Sequence, residues 1–436
     1  MIYFIGIKGT GMAALATMMH DLGYEVSGSD VEKHFFTQEE LEKRNIKILP
    51  FNAENIKDNY TVIIGNAFLE NFEEVVAARN NPTCKCYRYH EYLGQLIDKY
   101  ESICVCGSHG KTTTTTMLAN TVGGFKNTAY LIGDGEGYLD KESEVLCVEA
   151  CEYRRHFLAY HPDYAIITNI EIDHVDYFKD EADYLSAYQE FLANVKKGVF
   201  YCGDDNECRK LEFGDIPHFS YGFNEGNDFR IANLESDETS SSFDLLFQEN
   251  FLFHYNLPLV GDHLLLDALG VIALSTMLCF DHRLIEMRFM HYQSPKRRYK
   301  IEEFNDTIFI DDYAHHPTEV AVTIKASKKR YPDRKIIAIF KPHRASRVHY
   351  FAQDFKDALS LADEVYLLDF TSIDDKQDGV DIDIKYLADM IPGSRILSED
   401  EAGALELSKH VGDCLVFMSS KDIYNIADMT KELMQK

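Results

Sequence analysis

Apolar positions in this chain come in short runs of four or five, separated by stretches with helical spacing. Ile2-Tyr-Phe-Ile-Gly6 opens the chain as a strand. Met12 to Leu22 follows as a helix, with Ala13, Leu15, Ala16 and Met19 on one face. Glu25 to Asp30, Asn45 to Leu49, Thr61 to Gly65 and Cys86 to Arg88 read as further strands, with helices over Phe72 to Ala78 and His90 to Lys99. A second cycle begins with the strand Ser102 to Cys106. It continues with a helix through Met117 to Val122 and buried strands at Glu144 to Val148 and Tyr164 to Thr168. Between residues 200 and 260 the pattern turns β-rich. Phe229 to Leu234, Ser242 to Gln248 and Phe251 to Leu257 read as a meander before a helix from Leu264 to Leu278. From about residue 300 a third series predicts strands at Thr307 to Asp311, Lys335 to Phe340, Glu364 to Asp369 and Cys414 to Met418. Its helices are expected at Thr318 to Arg330, with Thr318 as cap, at Phe351 to Leu361 and at Ile384 to Met390. Strands that alternate with helices predict an α/β protein with parallel sheets.

A length of 436 residues exceeds one ordinary core, and a 45% hydrophobic content is enough for several. The polar stretch at 98–102 and the junction before residue 295 divide the chain into 1–98, 99–294 and 295–436. The charge is strongly acidic, 44 − 72 = −28. Such a surface repels nucleic acid and anionic membranes, so neither is an expected partner. It also makes any basic cluster informative. No apolar run is long enough to span a bilayer, and the opening strand has no basic leader before it, so no signal peptide is expected. The ten cysteines include Cys84/Cys86 and Cys104/Cys106, which lack the His or Cys spacing of a zinc site. Reduced thiols in the cytoplasm are the expectation.

Chemistry enters at the strand ends. The strand Ser102 to Cys106 runs into Gly107-Ser108-His109-Gly110-Lys111-Thr112-Thr113, and then into a helix. A glycine turn between strand and helix offers backbone N–H groups and a helix N-terminus to phosphate. Lys111 can reach outer phosphates, and the Thr112 hydroxyl can ligate Mg²⁺. Two residues separate these glycines where the general phosphate-loop pattern has four, so a helix-capping turn is the competing reading. Glu149, Asp173 and His174 each follow a strand and are candidates to hold a metal opposite Lys111 and Thr112. Ordinary loop polarity is the alternative. The first turn, Gly6-Ile-Lys-Gly9-Thr10-Gly11-Met12, precedes a helix and a second strand ending in Asp30. That layout suits a pyrophosphate over a helix N-terminus and a ribose on a carboxylate. Its glycine spacing favours a phosphorylated ligand other than a dinucleotide. His263 stands at a helix start, where it can cap or stack on a base. Lys296-Arg297-Arg298 is either a solvated run or a source of one arginine for a γ-phosphate. Asp311-Asp312 and Pro342-His343-Arg344, with Arg347, again follow strands.

Together, Gly6 to Met12, Gly28-Ser-Asp30, Gly107 to Thr113, Asn169-Ile-Glu-Ile-Asp-His174, Lys296-Arg-Arg298, Asp311-Asp-Tyr-Ala-His-His-Pro-Thr-Glu319 and Pro342-His-Arg344 resemble the motif series of the Mur ligase family, over essentially the whole chain. The resemblance implies three domains: a Rossmann-like N-terminal domain for a UDP-sugar, a central P-loop α/β ATPase-type domain for ATP and Mg²⁺, and a C-terminal Rossmann-like α/β ligase domain. It implies UDP-N-acetylmuramate, L-alanine and ATP as the small-molecule substrates of an amide ligase. Gly9, Thr10, Gly11, Met12 and Asp30 would hold the UDP-sugar. Gly107 to Thr113, His263, Arg298 and Asp312 would hold ATP, with Thr112, Glu149 and His174 around the metal. Lys111, His174, Arg298 and His343 would be catalytic, and Arg344 and Arg347 would serve the reacting end of the substrate. Three positions depart from the family pattern. Ser419-Ser420-Lys421-Asp422 replaces a Gly-Ala-Gly-Asp turn, Leu264 and Asp267 replace asparagines, and Ser294-Pro295 replaces a glycine before the basic run. The departures leave two alternatives, a related ligase with another amino acid or peptide, and a non-catalytic nucleotide or UDP-sugar sensor.

Overall fold

The computed structural model describes residues 1–295, 297–370 and 379–435. Lys296 of the basic run lies outside the described residues. The chain divides into two compact units, Met1–Glu171 with Ala182–Gln293, and Ile172–Glu181 with Ser294–Lys436. Among the described residues the strands form three sheets.

In the first unit, β1 (Ile2–Ile5), β2 (Val26–Ser29), β3 (Lys47–Leu49), β4 (Thr61–Ile64) and β5 (Lys85–Arg88) form a parallel sheet in the order β3-β2-β1-β4-β5. Strand order reverses between β1 and β4, so the turns after them flank the crevice where such sheets take ligands. All four residues of β1 are buried, as expected for a strand covered on both faces.

The second sheet of this unit is built from β6 (Glu101–Cys106), β7 (Thr128–Leu131), β8 (Gly137–Tyr138), β9 (Val145–Glu149), β10 (Tyr164–Ile167), β11 (Gly198–Cys202), β12 (His218–Gly222), β13 (Phe229–Ser236), β14 (Ser241–Phe247) and β15 (Asn250–Leu257). Its order is β15-β14-β13-β12-β11-β10-β6-β9-β7-β8. β6 lies between β10 and β9, and these neighbours are parallel to it. The loops after β6, β9 and β10 therefore open on one rim. The β13–β15 meander is antiparallel. In β14 alternate residues Ser241, Phe243 and Leu245 are buried, the period-2 signature of a one-faced sheet.

In the second unit, β16 (Lys300–Phe304), β17 (Thr307–Asp312), β18 (Ile336–Phe340), β19 (Glu364–Leu368), β20 (Arg395–Leu397) and β21 (Cys414–Met418) run in the order β16-β17-β21-β18-β19-β20. β16 pairs antiparallel to β17 and the other pairings are parallel. Loops after β17, β21 and β18 consequently stand side by side. The helix after β17, Pro317–Arg330, is not capped by Thr318. His316 is its N-cap, Pro317 takes the first position, and the Glu319 carboxylate accepts the His316 N–H at 3.3 Å. Among the described residues no helix is long and apolar enough to cross a membrane.

Candidate active site

The loop after β6 is locked by glycine and by the loop after β10. Gly107 has φ +140°, and a Cβ there would lie 2.0 Å from Thr168 Oγ1. Gly110 has φ +80°, and its Cβ would lie 2.4 Å from Asp267 Oδ1. Side chains rarely adopt such φ values, so both positions require glycine for conformation and for space. Asn169 braces the turn from both sides. Its Oδ1 accepts the His109 N–H at 2.9 Å, and its Nδ2 donates to the His109 carbonyl at 3.0 Å. Ser108 Oγ donates to the Glu171 carbonyl at 2.6 Å and accepts the Glu171 N–H at 2.8 Å. His109 Nε2 meets Glu171 Oε2 at 2.8 Å. Gly110 then starts the helix Lys111–Val122 with no side-chain cap, so the positive end of the helix dipole faces the turn.

Lys111 does not extend into solvent. Its ammonium donates to the Gly107 carbonyl, to the Ser108 carbonyl at 3.1 Å, and to Glu152, whose Oε2 is 3.1 Å away. Glu152 is 1% exposed, and the buried Tyr184 hydroxyl donates to its Oε1 at 3.2 Å. Burial works to depress the Lys111 pKa, but the charge and hydrogen bond of Glu152 together with Cys151 and Glu149 outweigh it and raise the pKa above its ordinary value. Lys111 is thus charged and held against its own loop.

Glu149 ends β9, and its Oε2 accepts the Gly133 N–H at 2.9 Å. Its other oxygen has no hydrogen-bond partner among the described residues. Thr112 and Glu149 supply the hard oxygen donors that Mg²⁺ takes, so this part of the expected set fits that ion. His174 lies in the second unit. His263 is exposed, and a Cβ on Gly261 would meet its Cε1 at 3.1 Å, so the ring folds back over the helix start and does not cap it. Asp267 is 7% exposed and abuts Gly110, so this departure touches the Gly107–Thr113 turn.

At the first rim, Gly9 starts the helix Thr10–Asp21, again without a side-chain cap. Thr10 is its first residue and Met12 is buried beneath it. A Cβ on Gly11 would meet the Tyr89 hydroxyl at 2.5 Å. Asp30 Oδ2 accepts the Lys8 N–H at 2.7 Å and Oδ1 accepts the Val31 N–H at 2.8 Å, so this carboxylate closes the turn. Lys8 Nζ pins the following loop through the Val31 and Lys33 carbonyls, at 2.7 and 2.9 Å.

In the second unit the end of β17 carries Asp312, the loop after β18 carries His343 and Arg344, and Arg298 reaches the same end of the sheet just before β16, whose Lys300 pairs with Asp311. The Arg298 guanidinium lies 4.8 Å from the centre of the Tyr313 ring. Asp312 accepts the Tyr299 N–H at 2.8 Å and the Ala314 N–H at 2.7 Å, and burial pushes its pKa up to about 6 against the pull of Arg298. Burial, with Lys421, Arg347, His315 and Arg344 around it, drives the His343 pKa far down, so the imidazole is neutral. Its Nδ1 meets Ser420 Oγ at 3.1 Å. Ser419, Ser420 and Lys421 all avoid positive φ. Ser419 Oγ donates to the Lys341 carbonyl at 2.8 Å and accepts the Lys421 N–H at 2.9 Å, while Arg297 Nη2 donates to the Ser419 carbonyl at 2.6 Å. The turn is therefore built on side-chain hydrogen bonds and needs no glycine. Arg344 and Arg347 are paired with Asp176 and Asp173. Asp173 is held well below the usual carboxylate range. Burial would raise it, and Arg347 with the nearby His174, His315 and His316 overcomes that.

Three family models match consecutive stretches of this chain: the Mur ligase catalytic domain over residues 1–101, the Mur ligase middle domain over 105–275, and the Mur ligase glutamate ligase domain over 297–421. The chain belongs to the Mur ligase family. Among solved structures it is similar to the UDP-N-acetylmuramate–alanine ligase of Thermotoga maritima, at 25% identity over 100% of this chain and 99% of that one, with a TM-score of 0.80. A murein peptide ligase of Psychrobacter arcticus matches at 22% identity over 98% and 97%, with a TM-score of 0.75. The MurF ligase of Thermotoga maritima in complex with ADP matches at 17% identity over 88% and 97%, with a TM-score of 0.65.

Within this Mur ligase several interacting residues carried no local sequence signal. Glu152 lies three residues past Glu149, and its partner Lys111 is 41 positions upstream. Tyr184 and Asp176 were equally silent. Asn169 stood inside a motif but without a role, which its two hydrogen bonds to His109 now supply.

Proposed function

We propose that this protein is an ATP-dependent ligase that joins L-alanine to the carboxylate of UDP-N-acetylmuramate in peptidoglycan precursor synthesis. The observation that carries the reading is the glycine-locked, uncapped loop Gly107–Thr113 with a charged Lys111 held ready beside it, in a chain similar along its full length to a UDP-N-acetylmuramate–alanine ligase.

A carboxylate is a poor acyl donor because it carries charge and has no leaving group. Phosphorylation by ATP makes an acyl phosphate, and amine attack then gives a tetrahedral adduct that expels phosphate. In this reading the Gly107–Thr113 amides and Lys111 hold the ATP phosphates, and Lys111 exchanges Glu152 for phosphate oxygen. Arg298 offsets γ-phosphate charge, with Tyr313 as its platform. Neutral His343 and cationic Arg344 receive the reacting end of the acid, where a charged imidazole would compete for it. Thr112, Glu149 and His174 would hold Mg²⁺, which supplies charge neutralisation for the transferring phosphate. The Gly9–Met12 helix start and Asp30 serve the UDP-sugar.

A second reading is attachment of a preformed murein peptide, supported by the full-length likeness to the Psychrobacter arcticus enzyme. ADP release in the presence of UDP-N-acetylmuramate separates the two. L-alanine should give the highest kcat/KM among L-alanine, glycine, L-serine and a murein tripeptide. A preference for the tripeptide transfers the conclusion to the second reading, and no release with any acceptor sinks both.

A further inference from the structure

The segment Ile172–Glu181 belongs to the second unit, although the chain before and after it belongs to the first. Two ion pairs fasten it there. Arg347 Nε and Nη2 reach Asp173 Oδ1 at 2.8 and 2.7 Å, and these side chains are 4% and 6% exposed. Arg344 Nη1 reaches Asp176 Oδ2 at 3.0 Å, with exposures of 21% and 7%. Between the two carboxylates the backbone makes a tight turn around His174. Asp173 Oδ1 accepts the His174 N–H at 2.6 Å, and the Tyr177 and Phe178 N–H groups both donate to the His174 carbonyl, at 2.8 and 3.0 Å. His174 takes φ +52° and Arg344 takes φ +66°, values that non-glycine residues seldom adopt without outside support. The buried Asp173–Arg347 pair stands next to His174 in the chain, and the Asp176–Arg344 pair engages Arg344 itself.

We propose that Asp173 and Asp176 are positioning residues of the ligase reaction with different fates. Asp173 keeps Arg347 throughout and fixes the turn that carries His174, whereas Asp176 gives up Arg344 to the carboxylate of the acid substrate. The second half rests on the ligase reading above. The division follows from burial. Separating Arg347 from Asp173 strands two desolvated charges, which is strongly unfavourable. The Arg344 guanidinium is partly in water, so its departure strands one desolvated charge, the Asp176 carboxylate, instead of two, and the new pair with the substrate carboxylate offsets that cost. Its planar fork offers five N–H donors, so a second carboxylate can engage before the first departs.

Hydrogen exchange on the full-length protein reads the strap without substrate. In Asp173→Asn the Tyr177 and Phe178 amides exchange at least about tenfold faster than in the parent, while those of β18 do not change. In Asp176→Asn the same amides change by less than about threefold. Equal acceleration in both variants, or none in Asp173→Asn, overturns the proposal. Arg347→Lys carries the same expectation as Asp173→Asn if that variant does not fold, because the ammonium keeps the charge and loses the fork. Kinetics then split the two roles. Asp176→Asn lowers KM for UDP-N-acetylmuramate about fivefold by removing the competitor. Asp173→Asn lowers kcat about a hundredfold through the displaced turn. A raised KM in Asp176→Asn overturns the exchange of partners. If the parent itself does not turn over UDP-N-acetylmuramate, the ligase reading fails, and the exchange data still decide whether Asp173 holds the strap.

Discussion

Replacing Glu152 by glutamine tests whether Lys111 is held in waiting. The substitution keeps the shape and an acceptor for the Tyr184 hydroxyl but removes the charge. Two unit charges 3.1 Å apart attract by about 5 kcal/mol at an effective dielectric of 20, an upper bound for this pair. The Gly107 and Ser108 carbonyls still receive the ammonium in the variant, which reduces the loss. Removing one partner of a buried pair costs about 3–5 kcal/mol, and the two carbonyls place the expected loss at the lower end, about 3 kcal/mol. ATP should recover much of this, because in the variant Lys111 no longer has to leave a carboxylate to reach phosphate. The assay is thermal unfolding with and without ATP and Mg²⁺. The first unfolding transition of the nucleotide-free variant should fall by several degrees, and the upward shift on adding ATP should exceed that of the parent. A variant as stable as the parent without nucleotide, or with an unchanged ATP shift, would show that Glu152 does not hold Lys111 in reserve.

Other expectations follow from single contacts. Lys111→Ala should lower kcat for ADP release by a factor of about 1,000 or more, since its ammonium is held against this loop by the Gly107 and Ser108 carbonyls. Gly107→Ala should lower stability by about 2 kcal/mol or more and weaken ATP binding, because its Cβ would sit 2.0 Å from Thr168 Oγ1 at φ +140°. His156 stacks on His90 with ring centres 4.4 Å apart, and burial together with His90, Arg154 and Arg88 lowers its pKa to about 4. Its contribution to stability is therefore full above about pH 6.5 and lost as pH falls toward 4, so His156→Gln should remove about 2 kcal/mol of the acid sensitivity measured between pH 7 and 5. Asp312 behaves oppositely. With its pKa near 6 its stabilisation is full below about pH 4 and lost as pH rises through 6, so Asp312→Asn should flatten the unfolding curve in that window.

The Gly107–Thr113 turn, the first glycine turn and the strand-end acids stood out in the sequence because each combines a local period change with a residue type that phosphate chemistry would require there. Parallel strands such as Ile336–Phe340, buried at every position, also announce themselves as apolar runs. Elements at edges did not. β16 is exposed at three of its five positions and so carries no alternation. The helix His282–Met290 leaves Leu284, Met287 and Met290 largely in water, which blurs its apolar face. The helix Glu181–Leu192 buries Tyr184, Ala187, Tyr188 and Phe191 at helical spacing, but its tyrosines read as polar. At the site the limit was distance along the chain. Lys111 finds Glu152 across 41 positions and Arg347 finds Asp173 across 174, and nothing local to either residue names its partner. The Ser419–Lys421 turn shows the converse. Its missing glycines stood out as a departure, and in the structure the Ser419 hydroxyl holds the turn in their place.

Activation of a carboxylate through an acyl phosphate leaves its signature in the fate of the carboxylate oxygen. UDP-N-acetylmuramate labelled with ¹⁸O in its carboxylate should be incubated with ATP, Mg²⁺ and L-alanine, and the released phosphate analysed by mass spectrometry. Attack of the carboxylate on the γ-phosphate followed by amine displacement leaves one labelled oxygen on phosphorus, so each phosphate should carry one ¹⁸O and the amide product should retain one. Unlabelled phosphate, released at the same rate with or without L-alanine, would mean that the carboxylate never attacks the γ-phosphate.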